Sequence, residues 1–237
     1  MSSIIIIPTY NERDNIEELV NQILKLNLDI SILIVDDNSP DNTGKIADEL
    51  AKKYNNISVI HRSVKKGLGA AYIQGFKYAI GKGVENIFTM DADFSHDPKY
   101  LKDFLEKIKD YDLVIGSRYL KGVSVVNWPI KRIILSLFAN NYVRFITGMP
   151  LSDCTSGFCC FKRKVLESIN INKITSQGYS FLVEIKYHVF ENQFKISEIP
   201  IIFVERREGK TKMSFRVMLE ACFIPWKLRF GVKYPDF

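Results

Sequence analysis

Two aspartates separated by a single residue follow an apolar stretch of the chain. The stretch contains Ile87, Phe88 and Met90, as a buried strand would. Asp91 and Asp93 come where that strand should end, and side chains two apart on an extended segment point to the same side. Magnesium typically takes one or two protein carboxylates and fills its other positions with water and substrate phosphates. The pair therefore indicates a divalent-metal site that holds a diphosphate.

A helix start follows the two aspartates. Asp97 is placed as the N-cap and Pro98 as the first helical residue. Open α/β sheets bind their ligands where strands end and helices begin, so this position favours a binding site. The competing interpretation is an acidic turn that caps a helix and binds nothing.

The elements that must position these carboxylates alternate regularly. Apolar runs at residues 4–7, 32–35 and 57–60 predict buried strands, and each precedes a segment with helical features. The alternation continues to residue 116 and predicts a parallel α/β sheet with right-handed crossovers. A dinucleotide-binding dehydrogenase would need Gly-x-Gly-x-x-Gly after the first strand. Pro8 ends that strand instead, so the dehydrogenase class is set aside.

Two further aspartates, Asp36 and Asp37, close the second predicted strand. Asp37 has the position of the acidic residue that binds ribose in other nucleotide-binding folds. Capping of the following helix is the alternative, and it fits one of the two aspartates.

After residue 116 the alternation stops. Residues 129–147 have helical periodicity, with a polar stripe at intervals of four that consists of Arg132, Ser136, Asn140 and Arg144. A basic amphipathic helix can lie at a membrane surface. A helix packed on the sheet with a solvated polar face is the alternative.

The remaining segments are less regular. We expect a short strand at 159–161, a helix at 179–190 and an edge strand at 196–204 broken by Pro200. Residues 205–214 are charged and contain glycine, which predicts a loop. The tail from Phe215 mixes aromatic with basic residues, and we expect Pro225 to interrupt it.

Composition narrows the partners. The chain has 237 residues, a formal charge of +6 and four cysteines, with no Cys-x-x-Cys pair. The charge suits an anionic partner, and the scattered cysteines and three histidines argue against zinc and for a reducing compartment. The N-terminus has no basic segment typical of a signal peptide. No stretch approaches the roughly 20 apolar residues that a spanning helix needs.

The order of the motifs resembles the inverting glycosyltransferases of family 2, which have the GT-A fold, and in finer detail their dolichol-phosphate mannose synthase group. The resemblance covers roughly residues 3–214, and its motifs are Pro8-Thr9-Tyr10-Asn11-Glu12, Asp36-Asp37-Asn38-Ser39, Gly67-Leu68-Gly69, Asp91-Ala92-Asp93, Gly116-Ser117-Arg118-Tyr119, Trp128-Pro129-Ile130-Lys131-Arg132, Ser156-Gly157-Phe158, Gln177-Gly178-Tyr179 and Arg206-x-x-Gly209-x-x-Lys212-Met213-Ser214. It implies a GT-A catalytic domain over residues 1–214 and a basic, aromatic tail over 215–237.

The resemblance also implies a site. Asp91 and Asp93 would hold Mg²⁺ or Mn²⁺, whereas Ser95 stands where some relatives have Gln and is a poorer third ligand. The GDP-mannose site would comprise Pro8, Tyr10, Glu12, Asp37, Gly67, Asp91, Ala92 and Asp93. The acceptor phosphate would be bound by Arg118, Arg132, Ser136, Arg206 and Lys212. Catalysis would depend on Asp93, Arg118, Arg206 and Lys212, with residues 206–214 as a lid.

The implied acceptor is a dolichyl or other polyprenyl monophosphate, and inversion would give a β-linked mannosyl phosphate. The enzyme would then work peripherally on the cytoplasmic face of a membrane, the endoplasmic reticulum in a eukaryote or the plasma membrane in a prokaryote. Small membrane-spanning partner subunits fit this picture, and nucleic acid does not. Two alternatives stay open: a related transferase with glucose, another sugar or a hydroxyl acceptor, and a catalytically silent nucleotide-binding regulatory subunit.

Overall fold

The computed structural model describes residues 2–174, 176, 178–205 and 215–231, with the backbone alone at 179 and 215–219. The strands are β1 (Ser3–Thr9), β2 (Ile30–Asp36), β3 (Ile57–His61), β4 (Asn86–Thr89), β5 (Leu113–Ser117), β6 (Val125–Val126), β7 (Cys159–Lys162), β8 (Ile196–Pro200) and β9 (Phe203–Val204). The helices are α1 (Arg13–Leu24), α2 (Thr43–Lys53), α3 (Leu68–Gly81), α4 (Leu101–Lys107), α5 (Ile130–Thr147), α6 (Arg163–Ser168), α7 (Gly178–Glu191) and α8 (Phe215–Phe230), with 3₁₀ turns at Pro98–Tyr100 and Ile171–Lys173.

The central sheet has seven strands in the order β3-β2-β1-β4-β7-β5-β8. Neighbours pair in parallel except β7, which lies antiparallel between β4 and β5. The predicted α/β class with a mostly parallel sheet is confirmed. β8 occupies one edge, as Pro200 predicted, but the expected strand 196–204 is two strands, because β9 leaves the sheet to pair with β6.

The apolar run in β1 shows why this sheet forms. Ile4 and Ile6 belong to the core on one face of the sheet, and Ile5 and Ile7 to the core on the other. A strand buried on both faces needs apolar side chains in both directions. Packing is close where α3 crosses β1, since a Cβ on Gly75 would lie 2.5 Å from Cγ2 of Ile6.

Helix α5 has the expected length, but its polar stripe faces the protein. Asn140 is 2% exposed, and Arg132 and Ser136 are half-buried. The outward face carries apolar side chains, among them Phe138 at 66% and Phe145 at 89% exposure. The alternative of a packed helix with a solvated polar face is therefore wrong for most of the stripe, because these polar residues bond to the interior.

Helix α8 continues through Pro225, so the expected interruption is wrong. Packing against α5 supports it: Tyr142 on α5 donates a 2.6 Å hydrogen bond to the carbonyl of Cys222, and Nε1 of Trp226 donates to the Tyr142 hydroxyl at 2.8 Å. Ile224 beside the proline is buried. Within the described ranges, none of the helices combines the length and apolar character that crossing a bilayer requires.

Candidate active site

The chain leaves β4 through a tight turn, residues 91–97, called here the acidic turn. Asp91 and Asp93 on it are partly exposed, whereas Ala92 between them is buried. The amide of Ser95 donates to Oδ1 of Asp93 at 3.1 Å, and Phe94 has φ +62°. A bulky residue in the left-handed region is strained, and such strain concentrates at functional sites.

His96 fixes the start of the acidic turn from inside. Its ring is 1% exposed and stacks on Phe158, with centroids 5.0 Å apart. The amide of Asp91 donates to Nδ1 of His96 at 3.1 Å. Burial lowers the pKa of His96 to about 4, against the opposing charge of Asp93. The imidazole is therefore neutral at pH 7, with its proton on Nε2.

Tyr72 supports the Asp91 side chain. Its hydroxyl donates to Oδ1 of Asp91 at 3.3 Å from a fully buried ring on α3. Burial, and then the negative charge of Asp91, raise the pKa of Tyr72 well above its usual value. The phenol is therefore protonated at pH 7 and donates this hydrogen bond.

The acidic turn suits an ion with few protein ligands. Oγ of Ser95 is buried and has no hydrogen-bond partner among the described residues. No cluster of three or more His, Cys, Asp or Glu side chains that could hold a metal occurs in the described part of the chain. Two carboxylates with one unsatisfied hydroxyl match the ligand set of Mg²⁺, which keeps water and substrate oxygens.

Asp37 lies at the end of β2 with a buried cation. Nη1 of Arg62 donates to its Oδ1 at 2.5 Å, and the amide of Gly67 donates to Oδ2 at 3.3 Å. Burial raises the pKa of Asp37, while Arg62 opposes that rise. Gly67 has φ +88° and ψ 173°, a conformation open essentially to glycine alone.

Asp36 serves a different purpose from Asp37. Its carboxylate accepts hydrogen bonds from the hydroxyls of Thr9 at 2.9 Å and Ser39 at 2.6 Å, which tie β1 to the loop after β2. Neither aspartate caps α2, because the amide of Thr43 is bonded by Asp41 at 3.0 Å.

The residues expected at the end of β1 border the same region. Nζ of Lys65 lies 3.5 Å from the ring centroid of Tyr10, and Glu12 accepts a 2.9 Å bond from Asn15. Pro8 is partly exposed beside them in the chain. A cavity of about 240 Å³ opens nearby, lined by His61, Arg62, Ser63, Val64, Lys66 and Gln74.

Arg118 follows β5 and pairs with a fully buried carboxylate. Its Nε and Nη2 donate to the two oxygens of Asp153 at 2.6 and 2.7 Å, and Nη2 also donates to Thr155. Burial acts to raise the pKa of Asp153, but the charge and hydrogen bonds of Arg118 hold that pKa below its usual value. The pair is therefore ionised, and two hydrogen bonds fix the orientation of the guanidinium relative to the carboxylate.

Trp128 brings a second arginine to Arg118. Arg132 stacks on the indole with its guanidinium carbon 4.0 Å from the ring centroid, and Arg118 lies 5.8 Å from it. Arg132 also pairs with Glu205 at 2.5 Å. The hydroxyl of Tyr119 donates to Ser136 at 2.7 Å. Arg118, Arg132 and Ser136 are therefore neighbours, and we call them the basic cluster.

Phe203 joins the basic cluster to the acidic turn. Its ring centroid lies 5.6 Å from that of His96 and 5.3 Å from that of Trp128, and the guanidinium of Arg118 is 5.4 Å away. The structure thus brings together the predicted metal ligands and three of the predicted phosphate ligands. The other two, Arg206 and Lys212, lie outside the described residues, as does the predicted lid.

Sequence reasoning named the motif Ser156-Gly157-Phe158 but missed Asp153, the residue in the same loop that holds Arg118. Residues 152–157, called here the anchoring loop, contain Asp153 and receive bonds from several elements. Glu198 on β8 accepts from the amides of Ser152 and Asp153 at 2.8 and 2.9 Å. Asn140 on α5 accepts from the amide of Cys154 at 2.8 Å. The available signal was the short polar run around an aspartate between two apolar segments.

Comparison with known proteins identifies the family. The profile described as Glycosyl transferase family 2 matches residues 4–169, and the chain belongs to this family. It is 42% identical over 231 residues to a protein of Mycolicibacterium smegmatis named polyprenol monophosphomannose synthase, covering 96% of this chain and 87% of that one. It is 39% identical over 221 residues to undecaprenyl-phosphate mannosyltransferase of Micrococcus luteus, covering 93% and 91%.

The fold agrees with a solved structure. Glucosyl-3-phosphoglycerate synthase from Mycobacterium tuberculosis, crystallised with Mn²⁺, uridine diphosphate and glucosyl-3-phosphoglycerate, superimposes with a TM-score of 0.71 at 15% identity. The match covers 99% of this chain and 81% of that one. The expected family and fold are confirmed, and the protein is a glycosyltransferase.

Proposed function

We propose that this chain transfers mannose from GDP-mannose to a polyprenyl monophosphate, such as dolichyl phosphate, with inversion at the sugar. One observation carries the proposal: the ring of Phe203 lies between the acidic turn and the basic cluster. The acidic turn is suited to a metal-bound diphosphate, and the two arginines of the basic cluster are suited to a phosphate. The names of the relatives from M. smegmatis and M. luteus support the lipid phosphate acceptor and the mannosyl group.

The donor side would use the carboxyl ends of the parallel strands. Asp91 and Asp93, with Oγ of Ser95 as third candidate, would hold Mg²⁺ or Mn²⁺. A bound metal ion would neutralise the negative charge on the departing GDP. The nucleoside would be bound by residues of the neighbouring strand ends, namely Pro8, Tyr10, Glu12, Asp37 and Gly67. Ala92, buried between the two carboxylates, completes the proposed nucleotide-sugar site.

The acceptor side needs cations more than a base. A phosphate monoester has a second pKa of about 6, so near pH 7 its oxygens are already nucleophilic. His96 does not supply a base, since its Nδ1 accepts the Asp91 amide and its Nε2 carries the proton. Arg118 and Arg132 would instead orient the phosphate, since guanidinium groups match phosphate geometry. Ser136, Arg206 and Lys212 complete the proposed acceptor set.

A lipid acceptor places the reaction at a membrane surface. Exposed apolar side chains lie on α5 and α8, two helices that pack together through Tyr142. We call this set the apolar face; it consists of Ile130, Ile134, Phe138, Phe145, Trp226 and Phe230. Burying exposed aromatic side chains stabilises attachment by roughly 1.5–3 kcal/mol each before ordering costs. We propose peripheral attachment at the cytoplasmic face, with the tail from residue 215 as part of the anchor and with room for a small membrane-spanning partner.

A transfer assay tests the proposed reaction. Labelled GDP-mannose is incubated with dolichyl phosphate, farnesyl phosphate or farnesol, and UDP-glucose serves as the competing donor. We expect product only with GDP-mannose and the two monophosphates, and only with a divalent cation present. Transfer to farnesol would favour a hydroxyl acceptor, and preference for UDP-glucose would favour the glucosyl alternative. Metal-dependent nucleotide binding without any transfer would favour the silent regulatory subunit.

Vesicle sedimentation tests the membrane surface. The double variant Phe138→Ser/Phe145→Ser should lose binding to anionic vesicles. The control Val64→Ser, which replaces an exposed apolar side chain on the proposed donor side, should keep it. Binding should weaken in high salt because basic residues near an anionic surface contribute roughly 1 kcal/mol each. If the double phenylalanine variant sediments with anionic vesicles as well as the Val64→Ser control does, the apolar face is ruled out as the anchor.

A further inference from the structure

Lys186 is a buried lysine without a role in the proposed reaction. It lies on α7 and is 0% exposed, although burying an ammonium group is costly unless it is hydrogen-bonded. Its Nζ donates to the carbonyls of Cys154 at 3.0 Å and Ser156 at 2.5 Å. Both acceptors belong to the anchoring loop.

The anchoring loop is clamped by two opposite charges. Glu198 accepts from the amides of Ser152 and Asp153, whereas Lys186 donates to the carbonyls of Cys154 and Ser156. Hydrogen bonds to charged groups are about twice as strong as those between neutral groups. The backbone on either side of Asp153 is therefore fixed by charged partners from β8 and α7.

The clamped loop reaches both sides of the site. Through Asp153 it sets the position of the Arg118 guanidinium. At its other end the carbonyl of Gly157 accepts from Thr89 at 2.7 Å, and a Cβ on Gly157 would lie 3.5 Å from Oδ2 of Asp91. Arg118 depends on Asp153 for its geometry, while Asp91 has independent support from Tyr72 and His96.

We infer that Lys186 is a positioning residue for the acceptor phosphate: it holds the anchoring loop so that Asp153 presents Arg118 to the phosphate. The inference rests on the proposed function for the identity of the acceptor. It predicts a selective defect, because loss of Lys186 removes the support of Arg118 but leaves the bonds that orient the donor-side carboxylates.

Steady-state kinetics on the full chain test this selectivity. Lys186→Met should raise the KM for farnesyl phosphate at least about tenfold. The reason is that a misplaced Arg118 loses a hydrogen bond to the charged phosphate, and such a bond strengthens binding by about tenfold or more. The KM for GDP-mannose should stay within about twofold, as expected when the acceptor-binding interactions alone are weakened. Lys52→Met makes the same change on the exposed face of α2 and should alter neither constant.

A double variant separates positioning from general damage. Because Lys186 and Asp153 act through the same guanidinium, Lys186→Met/Asp153→Asn should raise the acceptor KM no further than the worse single variant. Multiplying effects, or equal rises in both Michaelis constants, would overturn the inference.

Hydrogen exchange gives a readout that does not need turnover. Amides of residues 152–157 should exchange faster in Lys186→Met, while those of α2 should not change. Unchanged exchange in the anchoring loop would overturn the inference whatever the acceptor proves to be. Absence of transfer to farnesyl phosphate by the unaltered chain would instead count against the proposed function.

Discussion

Replacing Asp153 by Asn should destabilise the protein by about 3 kcal/mol at pH 7, the lower end of the ~3–5 kcal/mol typical when one partner of a buried ion pair is removed. Asp153 is 0% exposed and accepts three hydrogen bonds from Arg118, from its backbone amide, Nε and Nη2. Asn keeps the shape but turns an NH₂ group toward the guanidinium, which leaves the Arg118 charge buried and uncompensated.

Urea unfolding at pH 7 measures this loss, read as a change in midpoint at constant slope. The matched control is Asp48→Asn, which removes an exposed partner of His61 and should cost less than about 1 kcal/mol. A second control is the double variant Arg118→Leu/Asp153→Leu, which should be more stable than Asp153→Asn because it leaves no unpaired charge.

The sign of the pH dependence follows from the lowered pKa of Asp153. A carboxyl whose pKa is lower in the folded state stabilises fully above its unfolded pKa, and this contribution is lost as pH falls through the folded pKa. The difference between the unaltered chain and Asp153→Asn should therefore stay constant from pH 8 to about 5 and narrow only below the usual value of 3.8. If Asp153→Asn lowers the free energy of unfolding at pH 7 by no more than Asp48→Asn does, the reasoning is refuted.

Three further predictions follow from the site and the core. Gly75→Ala should lower stability by about 1–3 kcal/mol, because the added Cβ would clash with Ile6 on β1. Gly81→Ala in the same helix has open space around it and should be neutral or stabilising, and the thermal unfolding midpoints of the two variants test this difference. Asp91→Asn and Asp93→Asn should each abolish transfer even at saturating Mg²⁺ or Mn²⁺, and near-normal turnover in both would rule out the metal assignment. Arg132→Ala should raise the KM for the lipid phosphate more than that for GDP-mannose, and a rise confined to the donor would contradict its assignment.

Much of the fold could be predicted because it follows from local pattern. The isoleucine run at residues 4–7 has apolar side chains in both directions, and only a strand covered on both faces buries them all. Asp97 likewise caps the turn at Pro98, with its carboxylate accepting from the amide of Lys99 at 2.9 Å. These features need only the period of a strand or the chemistry of a cap.

The orientation of α5 could not be obtained in this way. A period of four indicates that Arg132, Ser136 and Asn140 share a face, but it does not say which face is buried. Tertiary partners decide it: Glu205, Tyr119 and the anchoring loop bond to these residues. Pro225 shows the same limit, since packing against Tyr142 maintains a helix that local propensity would end.

Some residues of the candidate site could likewise be predicted from the sequence, and others could not. Asp91, Asp93 and Asp37 lie at strand ends and could be recognised by position. Asp153 and Lys186 matter through partners thirty or more residues away in the sequence. Pairings of that kind leave no periodic trace in a single sequence. Arg118 could be named as a phosphate ligand, but the carboxylate that orients it could not.

The contacts of Phe203 have a thermodynamic consequence. One ring contacts His96 in the acidic turn, Arg118 in the basic cluster and the indole of Trp128, on which Arg132 stacks. These contacts offer a physical path for coupling between the two sites. If an occupied donor site strengthens acceptor binding by some factor, an occupied acceptor site must strengthen donor binding by the same factor. The two substrates then regulate each other's retention, and the order in which they arrive leaves the stability of the ternary complex unchanged.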